Sequence, residues 1–212
     1  MRPYVVRPGD HLLKLAERLR FNAAQVWHAP ENKELRDSRG DGHILQSGDV
    51  LNVPDLQPPK WQAVNVGQVN TFVATVQRVS IRVQFLWSGR PLASKPCSVR
   101  ELPEMNGLST DGQGLLELEV PVYLDGVTVD FVDPAVSQEL RVGGLDPVST
   151  GSGVAQRLAN LGHLRTIGSH GGEVERDELA AAVRRFQWSR QLPITGEVDD
   201  KTREAIQSAH GC

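Results

Sequence analysis

The stretch that decides the C-terminal part of the fold is Leu179-Ala-Ala-Ala-Val-Arg-Arg-Phe186. Leu179, Ala182, Val183 and Phe186 follow the i, i+3, i+4, i+7 spacing of one apolar helix face. This spacing predicts a helix, and a shorter helix is expected before it, from about residue 153 to 161.

A third helix is expected to follow. Its start is indicated by Asp199-Asp200, because acidic side chains suit the positive end of the helix dipole. Gly211 is a plausible C-terminal cap. The predicted architecture of residues 149–212 is therefore three short helices around one core.

Upstream of these helices the pattern changes to period two, from which a β-sandwich is predicted over residues 67–148. The alternating apolar positions are Val79, Ile81, Val83 and Phe85, then Leu116, Leu118 and Val120, then Val127, Val129 and Phe131. Turns are expected at 88–91, 111–114 and 125–126, where glycine is combined with Ser, Asp or Pro.

Residues 1–56 predict the order strand, helix, helix, strand. Tyr4-Val5-Val6 and Val50–Val53 are the strand segments. Asp10 is expected to cap the first helix and Asn22 the second. Trp27 is expected in the core.

The predicted fold class is therefore α+β and multidomain. Residues 57–66, which include a Pro-Pro pair, are expected to form a stiff linker between the first module and the sandwich. Aromatic residues make up only 5% of the 212 residues, so the cores must be built mainly from Leu, Val and Ala.

The first module resembles the LysM domain, a βααβ fold that binds glycans containing N-acetylglucosamine. The resemblance rests on Tyr4–Val6, Pro8-Gly9-Asp10, the helix with Leu12, Leu15 and Ala16, and Gly48–Pro54. It implies a shallow sugar groove between two loops. The groove residues it implies are Gly9, Asp10, His11, Leu12, Ile44 and Leu45.

Two features depart from the LysM pattern. His11 stands where the family usually has Thr or Ser, and the stretch 28–43 is longer and more charged than the usual second loop.

The C-terminal segment resembles the three-helix peptidoglycan-binding domain of many wall hydrolases. The resemblance is carried by Leu158, Asn160–Gly162, Phe186-Gln187, Thr195-Gly196 and Thr202. Gln187 and the following Trp188 are candidate peptidoglycan contacts. Trp188 is the tryptophan that we would test first, because an aromatic plane matches the face of a pyranose ring.

The middle segment is similar to transthyretin-like sandwiches through Gly89–Leu92 and Ser109–Gly114. The order of the three modules resembles proteins that accompany contractile injection machines, namely type VI secretion spikes and phage tail baseplates. This resemblance is one of architecture.

Charge and hydropathy exclude several classes of function. The net charge is −3 with no basic stripe, so a nucleic-acid binder is not expected. No apolar run approaches the ~20 residues that span a bilayer, so no membrane association is expected. No secretory signal is recognised at the N-terminus, which predicts a cytoplasmic protein unless an injection machine exports it.

Neither a catalytic set nor a metal or cofactor site is predicted. The segment Ala209-His210-Gly211-Cys212 contains residue types found in the active sites of wall transpeptidases. At a chain end, however, few contacts are available to fix the geometry of a catalytic site. A zinc site here would need His163 and His170 together with Glu173 or Glu175 as ligands. The favoured interpretation of this stretch is a glycine-rich loop between helices. His11, His28 and His43 are expected to be polar groove or surface residues. Cys97 and Cys212 are expected to be free thiols.

Three hypotheses remain open at this point. The first is a non-catalytic protein that binds peptidoglycan or a similar glycan. The second is a protein–protein adaptor or chaperone that docks a secretion spike or an effector through the same modules. The third, and the least favoured, is a degenerate wall enzyme.

Overall fold

The computed structural model describes residues 1–55, 62–72, 76–105, 107–164 and 174–211. These residues form a mixed α and β structure divided into two compact units. The first unit comprises residues 1–43 and 47–144, and the second comprises residues 44–46 and 145–212. Part of the predicted linker, residues 57–61, lies outside the described residues.

The strands, in chain order, are β1 (Arg2–Val5), β2 (Val50–Val53), β3 (Arg78–Gln84), β4 (Leu86–Trp87), β5 (Arg90–Pro91), β6 (Pro96–Val99), β7 (Leu108–Ser109), β8 (Leu115–Pro121), β9 (Gly126–Phe131) and β10 (Val136–Arg141). The helices are α1 (Leu12–Leu19), α2 (Ala23–Trp27), α3 (Lys33–Arg39), α4 (Gly151–Asn160), α5 (Arg176–Ser189) and α6 (Asp200–His210), with a 3₁₀ turn at Pro30–Asn32 before α3.

The predicted strand–helix–helix–strand order of the N-terminal module is confirmed, with one added helix. Strands β1 and β2 pair antiparallel from Arg2 opposite Val53 to Val5 opposite Val50. The helices between them bury Leu15, Ala16 and Trp27, so Trp27 is a core residue as predicted.

The added helix is α3, which lies in the stretch expected to be a long charged loop. Its sequence contains a single apolar residue, Leu35, and therefore shows no apolar periodicity. Lys33 and Asp37 form an i, i+4 ion pair on its exposed surface, a spacing that supports a helix without a buried face.

The prediction that Asp10 caps α1 is wrong, because His11 is the N-cap. The Nδ1 atom of His11 accepts a hydrogen bond from the Lys14 amide at 3.4 Å. Asp10 is instead buried and accepts hydrogen bonds from the Tyr4 hydroxyl at 2.7 Å and the Arg7 amide at 3.0 Å. It also pairs with Arg18 at 3.2 Å.

A tight turn explains why Asp10 faces backward toward β1. The Asp10 amide donates to the Arg7 carbonyl at 3.0 Å, and Gly9 has φ +80°. Pro8 followed by a residue with positive φ is the pattern of a type II turn, which favours glycine at the second central position.

The predicted alternation in the middle of the chain is confirmed as antiparallel sheet. One sheet has the order β10-β9-β6-β7, a second pairs β3 with β8, and β4 and β5 form a small hairpin. Strands β8 and β9 contribute alternate side chains to a single core, among them Leu118, Val120, Val129 and Phe131. Both larger sheets therefore share one hydrophobic interior.

The C-terminal unit contains the three predicted helices around one core. Ala182, Val183 and Phe186 of α5 pack with Leu158 of α4 and Ile206 of α6. Helix α6 has the expected ends, because the Asp199 carboxylate accepts from the Thr202 amide at 2.8 Å and Gly211 closes the helix with φ +93°.

The start of α4 depends on a close approach that the sequence pattern does not reveal. A Cβ atom at Gly153 would lie only 2.0 Å from the Pro147 carbonyl oxygen, so glycine is required there. Arg157 is fully buried nearby, and its Nη1 donates to the carbonyls of Asp146 and Gly153 at 2.8 and 2.9 Å.

Candidate functional site

An open cleft of about 360 Å³ lies on the surface of the C-terminal unit. It is formed where the turn after α4 meets one face of α5. Its lining residues are Gly162, His163, Leu164, Glu178, Ala181 and Arg185. Charged side chains of both signs line the cleft beside a histidine, so it suits a ligand that carries charged groups.

The turn after α4 and helix α5 are joined directly at the cleft. The Nε of Arg185 donates to the carbonyl oxygen of His163 at 3.0 Å. The His163 ring packs edge-on against the ring of Phe186, with centroids 5.4 Å apart. These two contacts, one through the His163 carbonyl and one through its ring, tie the turn to α5.

Burial lowers the pKa of His163, and the neighbouring Arg190 and Arg185 guanidinium groups lower it further. Because its ordinary pKa is about 6.5, the ring is neutral at neutral pH. The positive charge at this end of the cleft is therefore carried by arginine and not by histidine.

Trp188 continues the exposed face of α5 beyond the cleft. Glu178 shares one face of α5 with the positions three, seven and ten residues after it, namely 181, 185 and 188. Trp188 is 73% exposed. The face therefore presents, in order, a carboxylate, a guanidinium and an indole ring.

The other predicted contact of this domain, Gln187, is placed differently. It is only 1% exposed, and its amide is bonded on both sides. Its Oε1 accepts from the amides of Thr195 and Gly196 at 3.0 and 2.9 Å. Its Nε2 donates to the Thr195 hydroxyl, the Glu197 carbonyl and the Thr202 hydroxyl at 3.0–3.1 Å. The geometry gives Gln187 the role of holding the loop between α5 and α6.

The residues implied for a LysM groove are mostly buried. Asp10, His11 and Leu12 are all buried, and Gly9 is half-buried. Of the remaining two, Ile44 is half-buried, Leu45 is buried, and both belong to the second compact unit. Glycan binding by these six residues stays a prediction.

The segment that packs against Gly9 and His11 directly follows β10. A Cβ atom at Gly143 would lie 3.1 Å from Cδ2 of His11, and one at Gly144 would lie 3.7 Å from the Gly9 Cα. Lys14 adds an ion pair to Asp125 and donates to the Gly9 carbonyl at 3.3 Å. The loop is thus packed within the first unit.

This burial should make the first unit sensitive to acid. Desolvation lowers the pKa of His11 to about 4, with His43 and Lys14 adding to the effect. In the unfolded chain the pKa is near 6.5, so between these values only the unfolded state binds the proton. Stability should fall as the pH drops from about 6.5 to 4, by about 2 kcal/mol at pH 5 and about 3 kcal/mol over the whole window.

The test is the unfolding free energy of residues 1–55 at pH 7 and pH 5, measured by hydrogen exchange on the full chain. The comparison variant is His11→Asn, since asparagine keeps a capping oxygen but does not titrate. The acid-dependent loss should be smaller in the variant by about 2 kcal/mol. Equal acid-dependent losses of stability in the unmodified chain and in His11→Asn would contradict the assignment of this effect to His11.

The other candidate residues are spread through the structure. His28 and His43 are exposed, and the His43 ring lies 6.1 Å from that of His11. His210 is half-buried with its Nε2 2.9 Å from Asn160 Nδ2, and Glu175 is exposed. Cys97 is a free thiol whose pKa is raised by burial. Trp61, His170, Glu173 and Cys212 lie outside the described residues.

Within the described part of the chain, no cluster of three or more His, Cys, Asp or Glu side chains could hold a metal ion. The helices in that same part are all too short or too polar to cross a membrane.

Comparison with known protein families matches part of the C-terminal unit. Residues 154–206 match the family model described as "Putative peptidoglycan binding domain". Neither the curated proteins nor the solved structures contain a match to the chain. The matched segment runs from the first turn of α4 to α6, and it supports peptidoglycan as a binding partner.

Proposed function

We propose that this chain is a non-catalytic accessory protein that binds peptidoglycan through its C-terminal three-helix domain. The observation that carries the proposal is the family match over residues 154–206, which includes the whole helical core from Val154 to Ile206. The open cleft and the exposed face of α5 lie within this segment, so the domain has a surface available for the wall.

The chemistry of that surface supports the proposal. Peptidoglycan consists of sugar chains that contain N-acetylglucosamine and carry short peptides with carboxylate and amine groups. The exposed face of α5 offers an indole ring, a guanidinium and a carboxylate, namely Trp188, Arg185 and Glu178. A polar ligand with apolar sugar faces is matched by such a mixture of aromatic and charged groups.

Replacing Trp188 with alanine should reduce retention on insoluble peptidoglycan. A stacking contact with one sugar is expected to be worth about 1–1.5 kcal/mol, which corresponds to roughly a tenfold weaker affinity. Co-sedimentation of the full chain with purified wall material measures the retained fraction over a range of wall concentrations.

The matched control is Trp87→Ala, which removes a tryptophan that is 51% exposed on the β4–β5 hairpin. Trp87→Ala should leave retention unchanged. If the two variants behave alike, Trp188 has no special part in binding. If the unmodified chain is not retained at all, the proposed function itself fails.

A second candidate function is a protein–protein adaptor or chaperone. It is favoured by one observation: Asp10, His11 and Leu12 are buried, and Gly143 and Gly144 pack against His11 and Gly9. A loop packed in this way suits a scaffold better than a site that takes up a glycan. In this case the LysM-like and helical modules would dock an effector or a spike protein.

We further propose that the partner machine is a contractile injection system of the type VI secretion or phage-tail kind. The support is the order of the modules: a LysM-like module, a β-sandwich and a peptidoglycan-binding helical domain. Affinity purification of the full chain from its own cells tests the adaptor role. Recovery of a spike or effector, together with no retention on wall material, would favour the adaptor over the wall binder.

A further inference from the structure

We propose that the cleft of the C-terminal unit binds the stem peptide of peptidoglycan, with a free carboxylate of the peptide held by Arg185. This inference rests on the proposed function, because it names the part of the polymer that the domain recognises. It assigns the sugar and the peptide to different places on α5, with the peptide in the cleft and the glycan beside Trp188.

The guanidinium of Arg185 is positioned to bind a carboxylate. Its Nε is engaged by the His163 carbonyl at 3.0 Å, which fixes the plane of the guanidinium at the cleft wall. Its two terminal amino groups have no hydrogen-bond partner among the described residues. A guanidinium with two terminal donors in a fixed plane matches the two oxygens of a carboxylate.

The surroundings of Arg185 favour an anion at this end of the cleft. The guanidinium of Arg190 lies 5.7 Å from the centre of the Phe186 ring, and the His163 ring packs against the edge of the same phenyl group. Two arginines thus flank a histidine whose pKa is lowered from its ordinary value by burial and by these cations. Among the described lining residues, a carboxylate at this end of the cleft would meet the Arg185 guanidinium, and the cation of Arg190 lies close enough to act on the same histidine.

Glu178 supplies the opposite charge at the other end of the cleft. It lies seven residues before Arg185, which is about 10.5 Å along the helix axis at 1.5 Å per residue. An extended peptide of about three residues covers this distance at 3.3–3.6 Å per residue. A stem peptide that carries both a carboxylate and a free amine can therefore engage Arg185 and Glu178 together.

The experiment compares soluble wall fragments by calorimetric titration of the full chain. One fragment is a disaccharide with its stem peptide, a second is the same fragment with its stem carboxylates amidated, and a third is the sugar without peptide. The stem-bearing fragment should bind most tightly. Arg185→Gln should weaken its binding at least about tenfold, the scale of one lost hydrogen bond to a charged group.

Arg185→Lys keeps the charge but not the planar fork. Its affinity for the stem-bearing fragment should therefore lie between those of the unmodified chain and Arg185→Gln. Lys201→Gln is the control, because it removes one exposed positive charge from α6 outside the cleft and should leave affinity unchanged. Amidation of the stem should weaken binding to the unmodified chain and make it insensitive to Arg185→Gln. Thermal unfolding of each variant checks that the domain is intact.

Two results would overturn the inference. One is equal affinity for the stem-bearing and the stem-free fragment, which would place the sugar in the cleft. The other is an equal loss in Arg185→Gln and Lys201→Gln, which would reduce the effect to net charge. If the unmodified chain bound neither the fragments nor whole peptidoglycan, the proposed function itself would be refuted. This result differs from the two above, in which the chain still binds the wall.

Discussion

Replacing Gln187 with leucine is expected to destabilise the C-terminal unit by about 3–5 kcal/mol. The leucine has nearly the same volume, so the loss comes from the polar groups that the amide now satisfies. These are the amides of Thr195 and Gly196, the carbonyl of Glu197 and the hydroxyl of Thr202. A buried group left without its partner costs about 1–3 kcal/mol. Thr195 and Glu197 are exposed, so water offsets part of the loss at these two residues.

Hydrogen exchange on the full chain measures this effect for each unit separately. Amides in α5 and α6 should exchange faster in Gln187→Leu, while those of β8 and β9 should be unaffected. Gln207→Leu, on the exposed side of α6, is the matched control and should change stability by less than about 0.5 kcal/mol. Unchanged protection in α6 of the Gln187 variant would show that the loop does not depend on this side chain.

The second large effect is expected at Asn32. This residue is 1% exposed, and its amide joins the helical layer of the N-terminal module to β2. Its Nδ2 donates to the carbonyls of Val26 and Asn52, both at 2.8 Å, and its Oδ1 accepts from the Asn52 amide at 2.7 Å. Asn32→Ala should therefore destabilise the module by about 2–4 kcal/mol, since three backbone groups lose their partners.

The comparison variant for Asn32 is Asn52→Ala. The Asn52 side chain makes one exposed hydrogen bond, to the Glu31 carbonyl at 2.9 Å. Its removal should cost only about 0.5–1.5 kcal/mol. The two variants are compared by urea unfolding of the full chain and by exchange of the amides in α2 and β2. Equal costs would mean that the bonds between Asn32 and β2 contribute no more than a surface hydrogen bond.

Both effects bear on how the binding experiments are interpreted. Gln187 lies next to Trp188 in sequence, so a variant of either residue could lose wall retention. Gln187→Leu should lose wall retention because the loop loosens and the domain becomes less stable. Trp188→Ala should lose retention with stability unchanged, because the Trp188 ring is exposed. Measuring stability and retention together separates a positioning residue from a contact residue.

Sequence periodicity predicted the elements that bury one regular face. Helix α5, strands β8 and β9 and the ends of α6 lie where the apolar spacing and the capping residues indicated. Helix α3 could not be predicted in this way. It buries none of its residues, and its charged surface has the composition of a loop.

The candidate sites were harder to predict than the elements. Trp188 is exposed as a contact residue must be, whereas Gln187, its neighbour in sequence, is buried. Sequence order alone could not separate them, because adjacent helix positions point about 100° apart and only the packing partners decide which one faces inward. Arg185 carried no sequence signal, since arginine is ordinary on an exposed helix.

By itself, the sequence determined the mixed α and β class, the strand–helix–helix–strand order near the N-terminus and the core positions of α5 and of the antiparallel strands β8 and β9. These follow from local periodicity and from turn and capping chemistry, which depend on neighbours along the chain. Only the tertiary structure decided that His11 is packed against Gly143, that Gln187 ties down a loop and that Arg185 and His163 share a cleft. Each of these depends on residues distant in sequence, and their approach is set by the packing of whole elements.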